Sequence, residues 1–202
     1  MVKEHWENIY ANKGMEQLSW FQKVPTISLK LINQVTKNKE DAIIDIGGGD
    51  GFLVDNLLVL GYTNITVLDI SKNSIDRAKK RLGKLAHKVK WIVADITEFI
   101  PKQEYVIWHD RAAFHFLTEL IDKENYHELV KKTVSGFFII ASFSDEGPNK
   151  CSGLEVCKYS ELELKKYFEK DFNVVNSFKI NHITPFKTTQ NFTFLVLKAL
   201  SP

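Results

Sequence analysis

The sequence has little arginine: of 27 basic residues only Arg77, Arg81 and Arg111 are arginines, and the first two share one lysine-rich stretch, which leaves Arg111 isolated. It has no surplus of either charge, with 27 Lys and Arg against 25 Asp and Glu, so composition gives no electrostatic case for a nucleic-acid partner. Cysteine is scarce too. Cys151 and Cys157 have neither the C-x-x-C redox spacing nor nearby ligands in a zinc pattern, which argues against a metal site and for a reducing compartment. Long apolar runs are missing, since a stretch such as Phe137 to Ala141 is far too short to span a bilayer, and no membrane partner is expected. The opening MVKEHWENIY has neither the apolar core of a secretory signal nor the acid-poor, Arg/Ser-rich character of a transit peptide. A cytoplasmic protein with one domain over residues 1–202 is the expectation.

What the sequence does have, after about residue 40, is short β-branched runs alternating with helical patterns. Ala42 to Ile46, Ile65 to Asp69, Val89 to Ala94, Tyr105 to Trp108 and Phe137 to Phe143 read as strands, without the clean alternation of a half-exposed sheet. Helices are expected over Phe52 to Leu60, with Asp50 as cap, and over Lys72 to Leu82, Asp122 to Val134 and Ser160 to Lys170. Two long runs close the chain, Phe172 to Ile183 and Asn191 to Leu200, joined by a turn too short for a crossover, so they must pair antiparallel. The fold class is therefore α/β, a doubly wound, Rossmann-like, mostly parallel sheet ending in an antiparallel strand pair.

The first strand runs into IIDIGGGDG, Ile43 to Gly51. Glycines at a strand's carboxyl end let the backbone turn sharply and approach a ligand with no Cβ in the way. Gly47, Gly49 and Gly51 make G-x-G-x-G, and Phe52 stands where a dinucleotide site would place its third glycine. Asp45 would repel a pyrophosphate but suits S-adenosylmethionine, whose sulfonium and ammonium are both cationic. Asp69 ends the second strand, in position to accept hydrogen bonds from ribose hydroxyls; Asp95 ends the third, where it could take an adenine amino group while Ile70 and Ile96 sandwich the ring.

The fourth strand leads into WHDRAAFHFL, residues 108–117. Methyl transfer from a sulfonium is an in-line displacement, so the protein mainly aligns the acceptor and excludes water, and any proton on an amine or thiol must leave first. Asp110, His109 and His115 are the candidates to accept that proton or orient the acceptor, with His109 counted on the cofactor side, and Arg111 offers a planar fork for a carboxylate partner or substrate.

The order Asp45, glycine loop, Asp69, Asp95 resembles the motif series of class I S-adenosylmethionine-dependent methyltransferases, over about residues 41–110. Together with HWENIY, SWFQ, WHDRAAFHFLT, GPNKCSGL and HITPFKTTQNFTF, the chain is similar to a subgroup of small methyltransferases labelled type 11 or type 12. More loosely it is similar to methyltransferase-like proteins that include the lysine methyltransferases of citrate synthase and elongation factor 1A. The resemblance implies a seven-stranded sheet, and it makes residues 1–24 an N-terminal helix and lid that brings Trp6, Tyr10 and Trp20 over the cofactor. It implies a monomer that moves a methyl group from S-adenosylmethionine to a protein lysine or a small molecule. A binding module without catalysis and an NAD-dependent oxidoreductase are the alternatives. Cys151 and His182 are left without a role at this level.

Overall fold

The computed structural model describes residues 2–200. Seven strands form one sheet: β1 (Ile43–Ile46), β2 (Ile65–Asp69), β3 (Val89–Val93), β4 (Tyr105–Arg111), β5 (Val134–Phe143), β8 (Phe172–Ile183) and β9 (Thr189–Ala199). Their order is β3-β2-β1-β4-β5-β9-β8, parallel from β3 to β5 and antiparallel for β9 and β8. This is the expected class I methyltransferase fold. A two-stranded hairpin, β6 (Lys150–Cys151) with β7 (Leu154–Glu155), stands apart from the sheet.

Successive side chains of a strand point to opposite faces, so apolar runs in the central strands feed two cores. Ile43, Ile107 and Ile139 pack on one face with Ile32, Leu53, Leu57 and Tyr62. Ile44, Trp108 and Ile140 pack on the other with Tyr126, Val130, Leu164 and Phe168. The helices that supply these faces are α2 (Thr26–Val35), α3 (Leu53–Val59), α5 (Leu120–Thr133) and α6 (Glu161–Phe168); α1 (Val2–Asn12) and α4 (Lys72–Leu82) complete the set. Local signals set their ends. The Ser71 side chain accepts from the Ser74 amide at the start of α4, and Ser160 and Glu163 form a capping box on α6.

Several boundaries differ from those read off the sequence. β4 continues through His109, Asp110 and Arg111, polar residues that remain in the ladder because they lie at the sheet's carboxyl edge. β5 begins at Val134, directly after α5, and α2 was not anticipated. Asp50 does not cap α3; Phe52 occupies that position, and Asp50 is buried in an ion pair with Arg77 at 2.8 Å. No described helix is long and apolar enough to cross a membrane.

Candidate functional site

The carboxyl ends of β1, β2, β3 and β4 open into a crevice of about 1100 Å³, counting the solvent-open space at its mouth. A smaller hollow of about 590 Å³ adjoins it, sharing Trp20, Ile46, Gly47 and Arg111 as lining.

The glycine turn is shaped by what crowds it. A Cβ on Gly48 would lie 2.5 Å from Asp45 Oδ2 and 2.9 Å from Val67, so no larger residue fits. Gly49 has φ +43°, and a Cβ there would lie 2.7 Å from Asp69 Oδ2 and 3.1 Å from the Tyr10 hydroxyl. The turn is clamped from outside by Arg81, which donates to the carbonyls of Asp50 (2.6 Å) and Gly51 (2.9 Å), pairs with Asp55 through two nitrogens and lies over the Phe52 ring.

Asp69 lines the crevice. Its Oδ1 accepts from the Ser71 amide at 2.8 Å, and burial pushes the carboxyl up to about 7, further raised by Asp50 and Asp45 and opposed by its hydrogen bonds. Asp95 is half-buried, with Oδ1 held by the amide and hydroxyl of Thr97 at 3.0 and 2.8 Å; Ile70, Ile96 and Asp95 all border the same crevice. Asp45 lines the smaller hollow. Its Oδ1 accepts from Nδ1 of His109 at 2.7 Å, and the other ring nitrogen, Nε2, lies 2.9 Å from the Ser28 hydroxyl. The two residues are register partners on β1 and β4.

Trp6, Tyr10 and Trp20 roof the crevice as one aromatic cluster, with Trp6 5.8 Å from Trp20 and 5.1 Å from Phe116 between ring centroids. Burial raises the Tyr10 hydroxyl well above its ordinary range, so it is a neutral donor. Contacts invisible in the sequence hold this roof down. Glu7 accepts from the Ser71 hydroxyl (2.8 Å) and the amides of Lys72 (2.8 Å) and Asn73 (3.0 Å), which tethers α1 to the first turn of α4. Arg77 donates to the carbonyls of Tyr10 and Lys13 at the other end of α1. His182 settles into a structural place: its Nε2 lies 2.7 Å from the Ser19 carbonyl, fixing residues 19–22 to β8.

Two residues expected to handle the acceptor's proton are elsewhere. Asp110 is fully buried and contributes nothing to the crevice wall; its Oδ1 accepts from the amides of Ala113 (2.9 Å) and Phe114 (3.2 Å), its Oδ2 from the Tyr126 hydroxyl (2.6 Å). Burial raises its carboxyl to about 6. His115 is also fully buried, its ring packed against Phe116 and Phe143, and burial, with the nearby Arg111 charge, pushes it down to about 3. Both are buried and neither borders the crevice, so the structure places them behind its wall rather than on it. Arg111 does face the crevice, as do Phe116, Cys151 and Phe192, which sequence reasoning did not place there together. Among the described residues no cluster of three or more His, Cys, Asp or Glu is arranged to hold a metal ion.

Residues 43–133 match a family model described as a methyltransferase domain. Malonyl-[acyl-carrier protein] O-methyltransferase of Anoxybacillus flavithermus is 26% identical over 145 residues, 69% of this chain and 54% of that protein. The eEF1A lysine and N-terminal methyltransferase of Mus musculus is 25% identical over 95 residues, 47% of this chain and 13% of that protein. The chain thus spans about half the length of the first relative and a small part of the second. Among solved structures, the N-methyltransferase NodS of Bradyrhizobium japonicum, in complex with S-adenosylhomocysteine, superposes with a TM-score of 0.74 at 13% identity over 99% of each chain. A methyltransferase of Anabaena variabilis gives 0.73 at 16% identity over 99% of this chain and 96% of the other. The sheet order with its antiparallel last strands is that of the class I methyltransferase fold, and residues 43–133 within it carry the match to a methyltransferase domain.

Proposed function

We propose that the chain transfers the methyl group of S-adenosylmethionine to a small molecule taken in beneath the aromatic roof. The observation that carries the donor assignment is the set of three carboxylates gathered at the glycine turn, where the charges of Asp45 and Asp50 add to burial in raising the proton affinity of Asp69. Such a seat attracts a sulfonium and an ammonium and repels pyrophosphate. In this reading Asp69 takes the ribose hydroxyls, Asp95 the adenine amino group between Ile70 and Ile96, and the turn from Gly47 to Gly51 the methionyl end, with Asp45 and His109 beneath it. Trp6, Tyr10 and Trp20 exclude water from the reacting atoms.

The small-molecule reading is supported by the roof, which is tied to α4 through Glu7 and Arg77 and to β8 through His182 and so narrows the approach to the crevice. Relatives of this fold are named for O- and N-methylation of unlike acceptors, so the fold itself does not choose one. Calorimetric titration with S-adenosylmethionine, S-adenosylhomocysteine and NAD tests the donor: binding of NAD and neither of the others would sink this reading. Labelled methyl transfer into a fractionated lysate tests the acceptor class, with label in the small-molecule pool expected and label confined to protein counting against it.

A further inference from the structure

Two of the three arginines are neutralised, Arg77 by Asp50 and Arg81 by Asp55. Arg111 has no carboxylate partner among the described residues. Its Nη1 donates to the Trp20 carbonyl at 3.3 Å, its guanidinium lies 5.2 Å from the centroid of the Phe192 ring, and its Nη2 is buried without an acceptor. Burial lowers its pKa to about 10, so it is a full cation at neutral pH. An unpaired buried cation is costly, and a fold that retains one beside a crevice has an anion to receive there.

The surroundings make the site selective. Arg111 borders the crevice with Trp20, Phe116, Phe192 and Cys151. The first three are apolar, and burial pushes the Cys151 thiol up to about 11, so it adds no charge. The acids that line the crevice lie apart from Arg111 in the fold: Asp69 ends β2, Asp95 lies two residues past β3, and Asp122 is in the first turn of α5. On the crevice side the wall around Arg111 therefore carries one positive charge on an aromatic body, while on the side of the smaller hollow Arg111 shares the lining with Asp45, itself bonded to His109.

We infer that the methyl acceptor is an organic anion, a carboxylate or thiolate on an apolar body, and that Arg111 is the group that binds it; this rests on the donor assignment above. In the transfer, the bond from methyl carbon to sulfonium sulfur breaks and its electron pair stays on sulfur, leaving a neutral thioether. A lone pair of the acceptor forms the new bond, and the anion becomes a neutral ester or thioether with no proton to lose. An ammonium acceptor would have to shed a proton first and would meet Arg111 as a like charge.

Three probes with the same ring separate the cases: benzoate, thiophenolate and benzylammonium, each titrated calorimetrically into the full chain saturated with S-adenosylhomocysteine. The two anions are expected to bind at least about tenfold more tightly than benzylammonium, as a charge-assisted contact implies. Arg111→Gln should remove that gap while leaving affinity for S-adenosylhomocysteine within about threefold, and Arg111→Lys, which keeps the charge, should retain part of it. Equal or tighter binding of benzylammonium to the unaltered chain overturns the inference and leaves the donor reading intact. So does a larger fall in S-adenosylhomocysteine affinity in Arg111→Gln, which would assign Arg111 to the donor's own carboxylate. Failure of the unaltered chain to bind S-adenosylhomocysteine would overturn the donor reading and this inference with it.

Discussion

The carboxylate of Glu7 receives the backbone amide of Lys72 at 2.8 Å, joining the first helix of the chain to the open N-terminus of α4 across 65 positions of sequence. Two further donors, Ser71 and Asn73, converge on the same group, so one side chain satisfies amides that an isolated helix leaves to water. Breaking that tether should loosen the roof before it harms the sheet.

Glu7→Gln is expected to cost about 1 kcal/mol of stability, as loss of charge at a helix N-terminus implies, and to speed dissociation of S-adenosylmethionine. Partial burial acts to raise the Glu7 pKa, but the hydrogen bonds from Asn73, Ser71 and Lys72 outweigh it and the net shift is downward. A carboxylate depressed in the folded state stabilises above its unfolded pKa, and the gain is lost as pH falls through the folded value. Urea titrations across the acid range should therefore show a shallower fall for Glu7→Gln than for the unaltered chain.

Asp69 points the other way. Its carboxyl, pushed up to about 7 by burial, holds its proton in the folded state over a range where the unfolded chain has lost it. Its contribution to stability is thus most favourable in acid and declines as pH rises from the ordinary Asp value through about 7. Asp69→Asn should consequently be no less stable than the unaltered chain at mildly alkaline pH. The same change is expected to weaken S-adenosylmethionine binding by about tenfold or more, by removing the ribose acceptor. Donor affinity in the unaltered chain should fall as pH drops below about 7. Calorimetry at several pH values checks both, and a pH-independent affinity would count against Asp69 as the ribose contact.

Arg81→Met removes the clamp on the glycine turn and leaves Asp55 and two carbonyls without their donors. A loss of about 2–3 kcal/mol is expected, together with weaker donor binding, because charge-assisted hydrogen bonds are the strong ones. Denaturant unfolding reads the first effect and titration with S-adenosylhomocysteine the second.

Asp110 and His115 are expected to respond oppositely to substitution. Asp110→Ala strands the Tyr126 hydroxyl and two amides and should cost about 3 kcal/mol or more. His115→Phe fills the same slot between Phe116 and Phe143, removing the partnerless Nε2 but also the Nδ1 that accepts from the Phe143 amide at 3.4 Å, so it should cost only about 1 kcal/mol. Turnover of the folded His115→Phe protein should match that of the unaltered chain; a collapse in kcat with normal stability would restore His115 to the chemistry.

Periodicity and turn signals carried most of the fold. β2 and α4 have the expected bounds, because an apolar run ends sharply at Asp69 and α4 is framed by Ser71 and Gly83. The antiparallel pair was legible from the short link between two long runs. β4 was read as too short, since polar His109, Asp110 and Arg111 look like loop residues until the sheet supplies partners for their backbone. α2 escaped notice because β-branched Thr26, Ile27, Ile32 and Val35 weaken a helix that tertiary packing then secures. At the site, the strand-end carboxylates and the oddness of Arg111 were visible from local spacing. The tethers made by Glu7, Arg77 and His182 were not, because each joins residues from 64 to 163 positions apart.

The bond between His182 and the Ser19 carbonyl has a bearing on biosynthesis. Ser19 leaves the ribosome early and His182 only after β1 to β5 have emerged, so residues 19–22 lack their tie to β8 while the parallel strands assemble. The ties of α1 to α4 through Glu7 and Arg77 have their partners as soon as α4 has emerged. The roof is thus fastened in two stages, its first helix early and the Trp20 segment only when the last antiparallel hairpin is complete.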